Sequence, residues 1–343
     1  MNRRRFLKAT IKAILVLSLS LPSAATAQPS QKTFRIAWFQ LYPSPSDTPK
    51  RNTEGLRRAL QARGYIDGVN VVVDDRTTIG GDDVGEAVVA DLLRSKPDII
   101  VVRTARELPL VRKATKTIPI VFWSISDPVA FGFVSSLARP GGNITGPSYM
   151  GIELNVKRLE LLIQVVPGAR RIGVLGQSLH SLLARTVSDL RAASQRLNVE
   201  LDVFEVHGRE VGEEQVRVRG ELEAAFASMA KNGARAVLVL QSPFWAKHRE
   251  WIASLALKYR LASSFEQAIM VNAGGLMSYG ADVADLMERA AYYVDRILKG
   301  ANPGELPVEQ STKLQLVINM KTARALGLTI PPSVLVRAER TIE

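Results

Sequence analysis

The chain has 343 residues, 46% of them hydrophobic and 23% charged, which excludes disordered and fibrous classes. Its net charge is +12, but Arg3, Arg4, Arg5, Lys8 and Lys12 lie in an acid-free opening stretch; beyond residue 27, 40 basic residues face 33 acidic ones. Without cysteine, disulfides, thiol catalysis, thiolate metal sites and a lipidated N-terminal cysteine are excluded, and no zinc spacing, helix-turn-helix arm or dense Lys/Arg stripe marks a nucleic-acid binder.

The first predicted element is an export signal. Asn2-Arg3-Arg4-Arg5-Phe6-Leu7-Lys8 resembles the twin-arginine pattern, except that Asn2 stands where Ser or Thr is usual. The apolar run from Ala13 to Leu21 is far shorter than the about 20 residues a spanning helix needs. Pro22 breaks it, and Ala25-Thr26-Ala27 supplies a small-x-small cleavage site before Gln28. These features predict a protein released free into the periplasm.

Short β-branched runs then alternate with amphipathic segments. Strands are predicted at Phe34–Phe39, Val69–Asp74, Asp98–Val102 and Ile118–Ser124, with helices at Thr53–Arg63, Asp83–Ser95 and Leu108–Lys116 between them. Such βαβα order implies a parallel sheet covered on both faces. The order restarts: Arg171-Ile172-Gly173-Val174-Leu175 mirrors Arg35–Phe39, Val199–Val206 mirrors Val69–Asp74, and Ala236–Leu240 mirrors Asp98–Val102. The duplication predicts two copies of one α/β lobe facing each other across a cleft. Gly/Pro clusters at Arg139–Pro147, Gly274–Gly280 and Pro303–Pro307 are the predicted crossings, with a helix at Val283–Leu298. The expected first lobe is residues 28–147 and 279–305, the second 148–278 and 306–343.

Ser126-Asp127-Pro128-Val129-Ala130-Phe131-Gly132-Phe133-Val134, followed by Leu137-Ala138-Arg139-Pro140-Gly141-Gly142-Asn143-Ile144-Thr145-Gly146, resembles the signature of the tryptophan-receptor-like ABC substrate-binding family. Gly275-Leu276-Met277-Ser278-Tyr279-Gly280, Leu306-Pro307-Val308-Glu309-Gln310 and Gly327-Leu328-Thr329-Ile330-Pro331-Pro332 agree, so the resemblance spans residues 32–343. It implies a type I periplasmic-binding fold, two Rossmann-like lobes joined by a three-crossing hinge. It also implies an ABC permease and an ATPase as partners, and amino acids as the ligands of some members. The sequence departs from the family at Arg103-Thr104-Ala105-Arg106-Glu107, where a small Thr-Pro-Ala-like loop is usual.

Motifs for chemistry are missing. The three histidines, His180, His207 and His248, have no metal-binding spacing, and His248 between Lys247 and Arg249 reads as a solvated helix face. There is no Gly-x-Ser-x-Gly elbow, phosphate loop or dinucleotide fingerprint. Asp74-Asp75 and Asp82-Asp83 read as turn and capping residues. The reading is therefore a monomeric binding module for a small polar or zwitterionic solute, with no cofactor, metal, catalytic residue or nucleic-acid partner. A periplasmic sensor and an exported α/β enzyme are the alternatives; a repressor of the same fold would need a DNA-binding head.

Candidate ligand residues sit at strand ends, where open parallel sheets bind ligands. From the first lobe these are Gln40, Tyr42, Thr104, Ala105, Ser126 and Asp127, with Arg106 positioned to pair with a carboxylate. From the crossings and second lobe they are Tyr149, Gln177, Ser178, Gln241, Ser242 and Glu266. Ser126-Asp127-Pro128 and Gln241-Ser242-Pro243 each predict a capped helix start aimed into the cleft. Trp38, Trp123, Phe244, Trp245 and Tyr279 are further aromatic candidates for its wall.

Overall fold

A computed structural model describes residues 32–42, 48–149, 151, 153–178, 180, 182–207, 214–242 and 244–343. The export signal, its cleavage site and Pro243 lie outside the described residues. The first half runs β1 (Phe34–Tyr42), α1 (Thr48–Gln61), β2 (Val71–Ile79), α2 (Asp82–Arg94), β3 (Ile99–Val102), α3 (Glu107–Ala114), β4 (Ile120–Phe122) and β5 (Ile144–Thr145). Its five strands form a parallel sheet in the order β2-β1-β3-β4-β5. The second half runs β6 (Ser148–Tyr149), α4 (Glu153–Val165), β7 (Arg171–Gln177), α5 (Leu183–Leu197), β8 (Glu200–Val206), α6 (Glu214–Lys231), β9 (Ala236–Val239), α7 (Trp245–Lys258), β10 (Ala262–Phe265), α8 (Ala268–Asn272) and β11 (Met277–Ala281).

The remainder is α9 (Val283–Leu298), a 3-10 turn at Pro303–Glu305, β12 (Gln310–Ser311), β13 (Leu314–Asn319), α10 (Met320–Leu326), α11 (Pro332–Leu335) and β14 (Arg340–Ile342). The second sheet has the order β14-β13-β11-β10-β9-β7-β8, parallel except where β13 runs against β11. Central strands β3 (IIVV) and β9 (AVLV) are buried at every position, as a sheet covered on both faces requires. Helix α9 returns to the first sheet. Its Leu286, Met287, Ala290, Ala291 and Val294 recur at helical spacing and join the core of Trp38, Leu56 and Leu60. Truncating one such leucine to alanine costs about 2–5 kcal/mol.

The chain passes between the sheets three times, after β5, after β11 and before β13. Gly274–Gly280 includes most of β11, a strand bonded on both sides, because Leu276 and Met277 are apolar and wholly buried; the passage follows at Ala281–Val283. The passages are tied together. β6 pairs with β12, and the Thr145 hydroxyl donates to the Leu306 carbonyl at 2.8 Å. Asp282 caps α9 by accepting from the Ala284 N–H (2.9 Å), and its other oxygen pairs with Lys313 Nζ at 3.2 Å.

The two expected helix starts differ. Trp245 opens α7, and the Phe244 N–H donates to the Ser242 hydroxyl at 3.2 Å. No helix follows Pro128: the backbone closes one turn, Phe131 N–H to the Asp127 carbonyl (3.1 Å), and Gly132 at φ +67° ends it. The stacked rings of Phe131 and Phe133, 5.4 Å apart, fix that turn against the first-lobe core. His248 is also not solvated. It is 3% exposed against the Phe244 ring, and burial, with Lys247 and Arg219 nearby, pushes its pKa down to about 4.

Candidate functional site

The strand ends of both sheets point toward one gap. A cavity of about 1090 Å³ opens there, lined by Arg103, Trp123 and Ser124 from the first sheet's edge and by Gln267, Ile269 and Asn272 from the second. Helices α1 and α9 form its outer wall. This is the place where parallel α/β sheets offer carboxyl-terminal loops to a ligand.

Trp123 forms the floor, backed by a second, wholly buried indole. Trp38 on β1 and Trp123 after β4 stack with centroids 5.9 Å apart and planes 14° from parallel. Both are buried, and the Nε1 of each lacks a hydrogen-bond partner. The Arg103 guanidinium lies 5.8 Å from the Trp123 ring centroid, a cation–π arrangement. Alternation along β1 explains the geometry: Trp38 and Ile36 face the α1/α9 side, while Ala37 and Phe39 join the opposite core.

A buried polar cluster stands beside this floor. Gln241 Nε2 donates to the Tyr149 hydroxyl, and Tyr149 is hydrogen-bonded to Glu266. Arg158, wholly buried on α4, donates to Asn155 Oδ1 at 2.7 Å and to the Gly151 carbonyl at 3.1 Å. Burial pushes the Glu266 carboxyl up to about 7, against the opposing pull of Arg158, the Tyr149 hydrogen bond and Arg103. Burial and the Glu266 charge hold the Tyr149 phenol well above its ordinary value, and burial lowers Arg158. The two lobes together bring a carboxyl raised to about 7, two guanidinium groups and an aromatic floor to one gap.

Several candidates converge here: Tyr149, Gln241 and Glu266 are in contact, the Ser242 hydroxyl bonds Gln177 Oε1, and Ser126 packs beside Gly151. Others are engaged elsewhere. Gln40 donates to the Thr77 hydroxyl and accepts from Asn52, both at 3.2 Å. Thr104 bonds the buried carboxylate of Glu107, and Ala105 packs into the first-lobe core. Arg106 reaches the Gly80 carbonyl (3.0 Å) and Asp82 (3.4 Å) instead of the cavity. Asp127 pairs with Arg185 at 3.1 Å, and Ser178 donates to the Val206 carbonyl at 3.3 Å. Tyr42 ends β1 opposite Ile79.

Arg103, Arg158 and Gln267 were not among the expected site residues. A signal existed for Arg158: on α4 it shares the buried stripe of Leu154, Leu161, Leu162 and Val165, and an arginine on an apolar face must find internal acceptors. No metal-binding cluster of His, Asp or Glu occurs among the described residues.

The family model for ABC transporter substrate binding proteins matches residues 44–342. The chain belongs to that family. It is a solute-binding component of an ABC transporter, and the family is non-enzymatic. A tyrosine-binding protein from Clostridioides difficile (strain R20291) is 27% identical over 302 residues, covering 87% of this chain and 82% of its own. The ABC domain of Streptococcus pneumoniae solved in complex with L-Trp superposes with a TM-score of 0.79 at 25% identity, covering 91% of this receptor and all of that domain. A Lactococcus lactis transcription regulator shares the fold alone, with a TM-score of 0.56 at 14% identity over 83% of this chain and 97% of its own. The receptor therefore has the type I periplasmic-binding fold that its motifs implied. Among its described residues no helix is long and apolar enough to cross a membrane.

Proposed function

We propose that this receptor binds an amino acid with an aromatic side chain in the gap between its two lobes and delivers it unchanged to an ABC permease and its ATPase. The observation that carries the reading is the wall itself: the Trp38–Trp123 stack beside Arg103, with the Tyr149–Glu266–Arg158 cluster next to it. An indole or phenol ring stacks on Trp123, the ligand carboxylate faces Arg103, and the ammonium faces Glu266. The tyrosine-binding and L-Trp-bound relatives support the same ligand class. The lobes close about the passages near Thr145–Tyr149, Ala281–Val283 and Leu306–Leu314, where few residues absorb a rotation. The Ala25-Thr26-Ala27 site supports release into the periplasm as a chain beginning at Gln28.

Native mass spectrometry of the protein as produced tests the ligand class. The expected spectrum shows a population heavier by the mass of one aromatic amino acid, lost on refolding and restored on adding it. A carried sugar or purine, or chemical conversion of an added amino acid, would refute the proposal.

A further inference from the structure

We propose that Gly151 is the joint on which the two lobes close, a position that must lack a side chain because a residue of each lobe packs against it. The inference rests on the reading of the chain as two lobes that open and close, and it names a residue that sets how near they can come.

The chain reaches Gly151 from the first lobe. Tyr149 lies in the core of Trp38 and Trp123, and its N–H donates to the Ile125 carbonyl at 3.4 Å. The Ser148 N–H donates to the Glu309 carbonyl at 2.9 Å, joining β6 to the β12 passage. That passage is fastened to α9: the Tyr293 hydroxyl accepts from the Glu309 N–H at 2.9 Å, and the Ser311 hydroxyl donates to Asp285 at 2.7 Å. Beyond Gly151 the chain belongs to the second lobe, where Arg158 of α4 donates to the Gly151 carbonyl at 3.1 Å. Few residues separate the two anchorages, so a rotation of the lobes concentrates there.

The backbone at Gly151 is not left-handed, so its conformation does not call for glycine; the space around it does. A Cβ on Gly151 would lie 2.7 Å from the Ser126 Cβ, 3.0 Å from Tyr149 Cε2 and 3.1 Å from Gln241 Oε1. Ser126 follows β4 in the first lobe, and Gln241 follows β9 in the second. Carbon atoms pack at about 3.5–4.0 Å, so the first of these approaches is a hard overlap. Tyr149 and Gln241 are bonded to each other and Ser126 is buried, so no side chain swings aside to make room. Separation of the lobes relieves the overlap.

The chain has no native cysteine, so nitroxide labels at Lys113→Cys on α3 and Glu250→Cys on α7, both exposed and one on each lobe, report lobe separation by pulsed electron resonance. The refolded chain is measured alone and with L-tyrosine plus L-tryptophan. The parent should occupy a longer and a shorter separation, with the shorter one favoured by the amino acids. Gly151→Ala should deplete the shorter separation by roughly tenfold, as overpacking a tight contact does, and adding Ser126→Gly should restore it. Circular dichroism of each variant establishes that it is folded. Parental populations in Gly151→Ala, or no recovery in the double variant, would overturn the proposal and leave the two-lobe reading standing. A parent with one unchanging separation would instead refute that reading, and the joint with it.

Discussion

Glu266 carries the sharpest chemical consequence at the residue scale. Its carboxyl is raised from 4.5 to about 7 in the folded chain, so the unfolded chain releases its proton first as pH rises. The neutral acid therefore contributes stability that is complete below the unfolded value and is lost as pH climbs through about 7. Glu266→Gln keeps the shape without the charge. Its thermal midpoint should match the parent near about pH 5 and exceed it by several degrees near about pH 8. A variant whose advantage does not grow with pH would show that Glu266 titrates normally. Binding should have the opposite dependence, because an ammonium ligand favours the carboxylate: affinity falls toward acid pH in the parent and stays flat in Glu266→Gln. Arg158 makes a second prediction. Arg158→Met retains the volume but strands the Gly151 carbonyl and Asn155, costing about 1.5–3 kcal/mol by denaturant unfolding; an unchanged midpoint would mean that water replaces the guanidinium. Tyr149, Gln241 and Glu266, which the fold brings into contact, could be proposed from sequence because they end strands or crossings in an α/β chain. Arg106 was misleading: its charge suited a carboxylate, but Gly80 and Asp82 lie within its reach, and only the folded turn after β2 reveals them.

Among the elements, the alternation of strands and helices and its repeat could be read from periodicity because both faces of each sheet are covered, leaving continuous apolar runs. Helix α9 was legible to the residue, since Asp282 caps it and Gly300 follows its end. Strand β2 was not, because it is an edge strand whose outer half, Asp74–Thr78, is polar: Arg76 donates to Asp74, and Thr53 and Thr77 donate to Asp75. Ser126-Asp127-Pro128 is a helix-start signal, but the left-handed Gly132 ends the turn after one bond. At the first passage Gly146 adopts φ +149°, and a Cβ there would lie 2.0 Å from the Phe122 carbonyl oxygen. Gly146→Ala should thus destabilise the chain by about 3 kcal/mol or more, since neither the backbone nor β4 can give way. Equilibrium unfolding measures this, and a loss below about 1 kcal/mol would show that the passage relaxes freely.

For the whole molecule, two sheets joined by three short passages make a gap whose walls come from opposite lobes, and the aromatic floor and the buried charges meet beside it. On the proposed function, this gap recognises an aromatic amino acid. Isothermal titration calorimetry on the refolded receptor with L-tyrosine, L-tryptophan, L-phenylalanine and L-alanine tests it most directly. The expected result is one-to-one binding of at least one aromatic member, no comparable heat from L-alanine, and roughly tenfold to a hundredfold weaker binding in Trp123→Ala and in Glu266→Gln near about pH 8. No binding of any aromatic amino acid, or parental affinity in both variants, would contradict it.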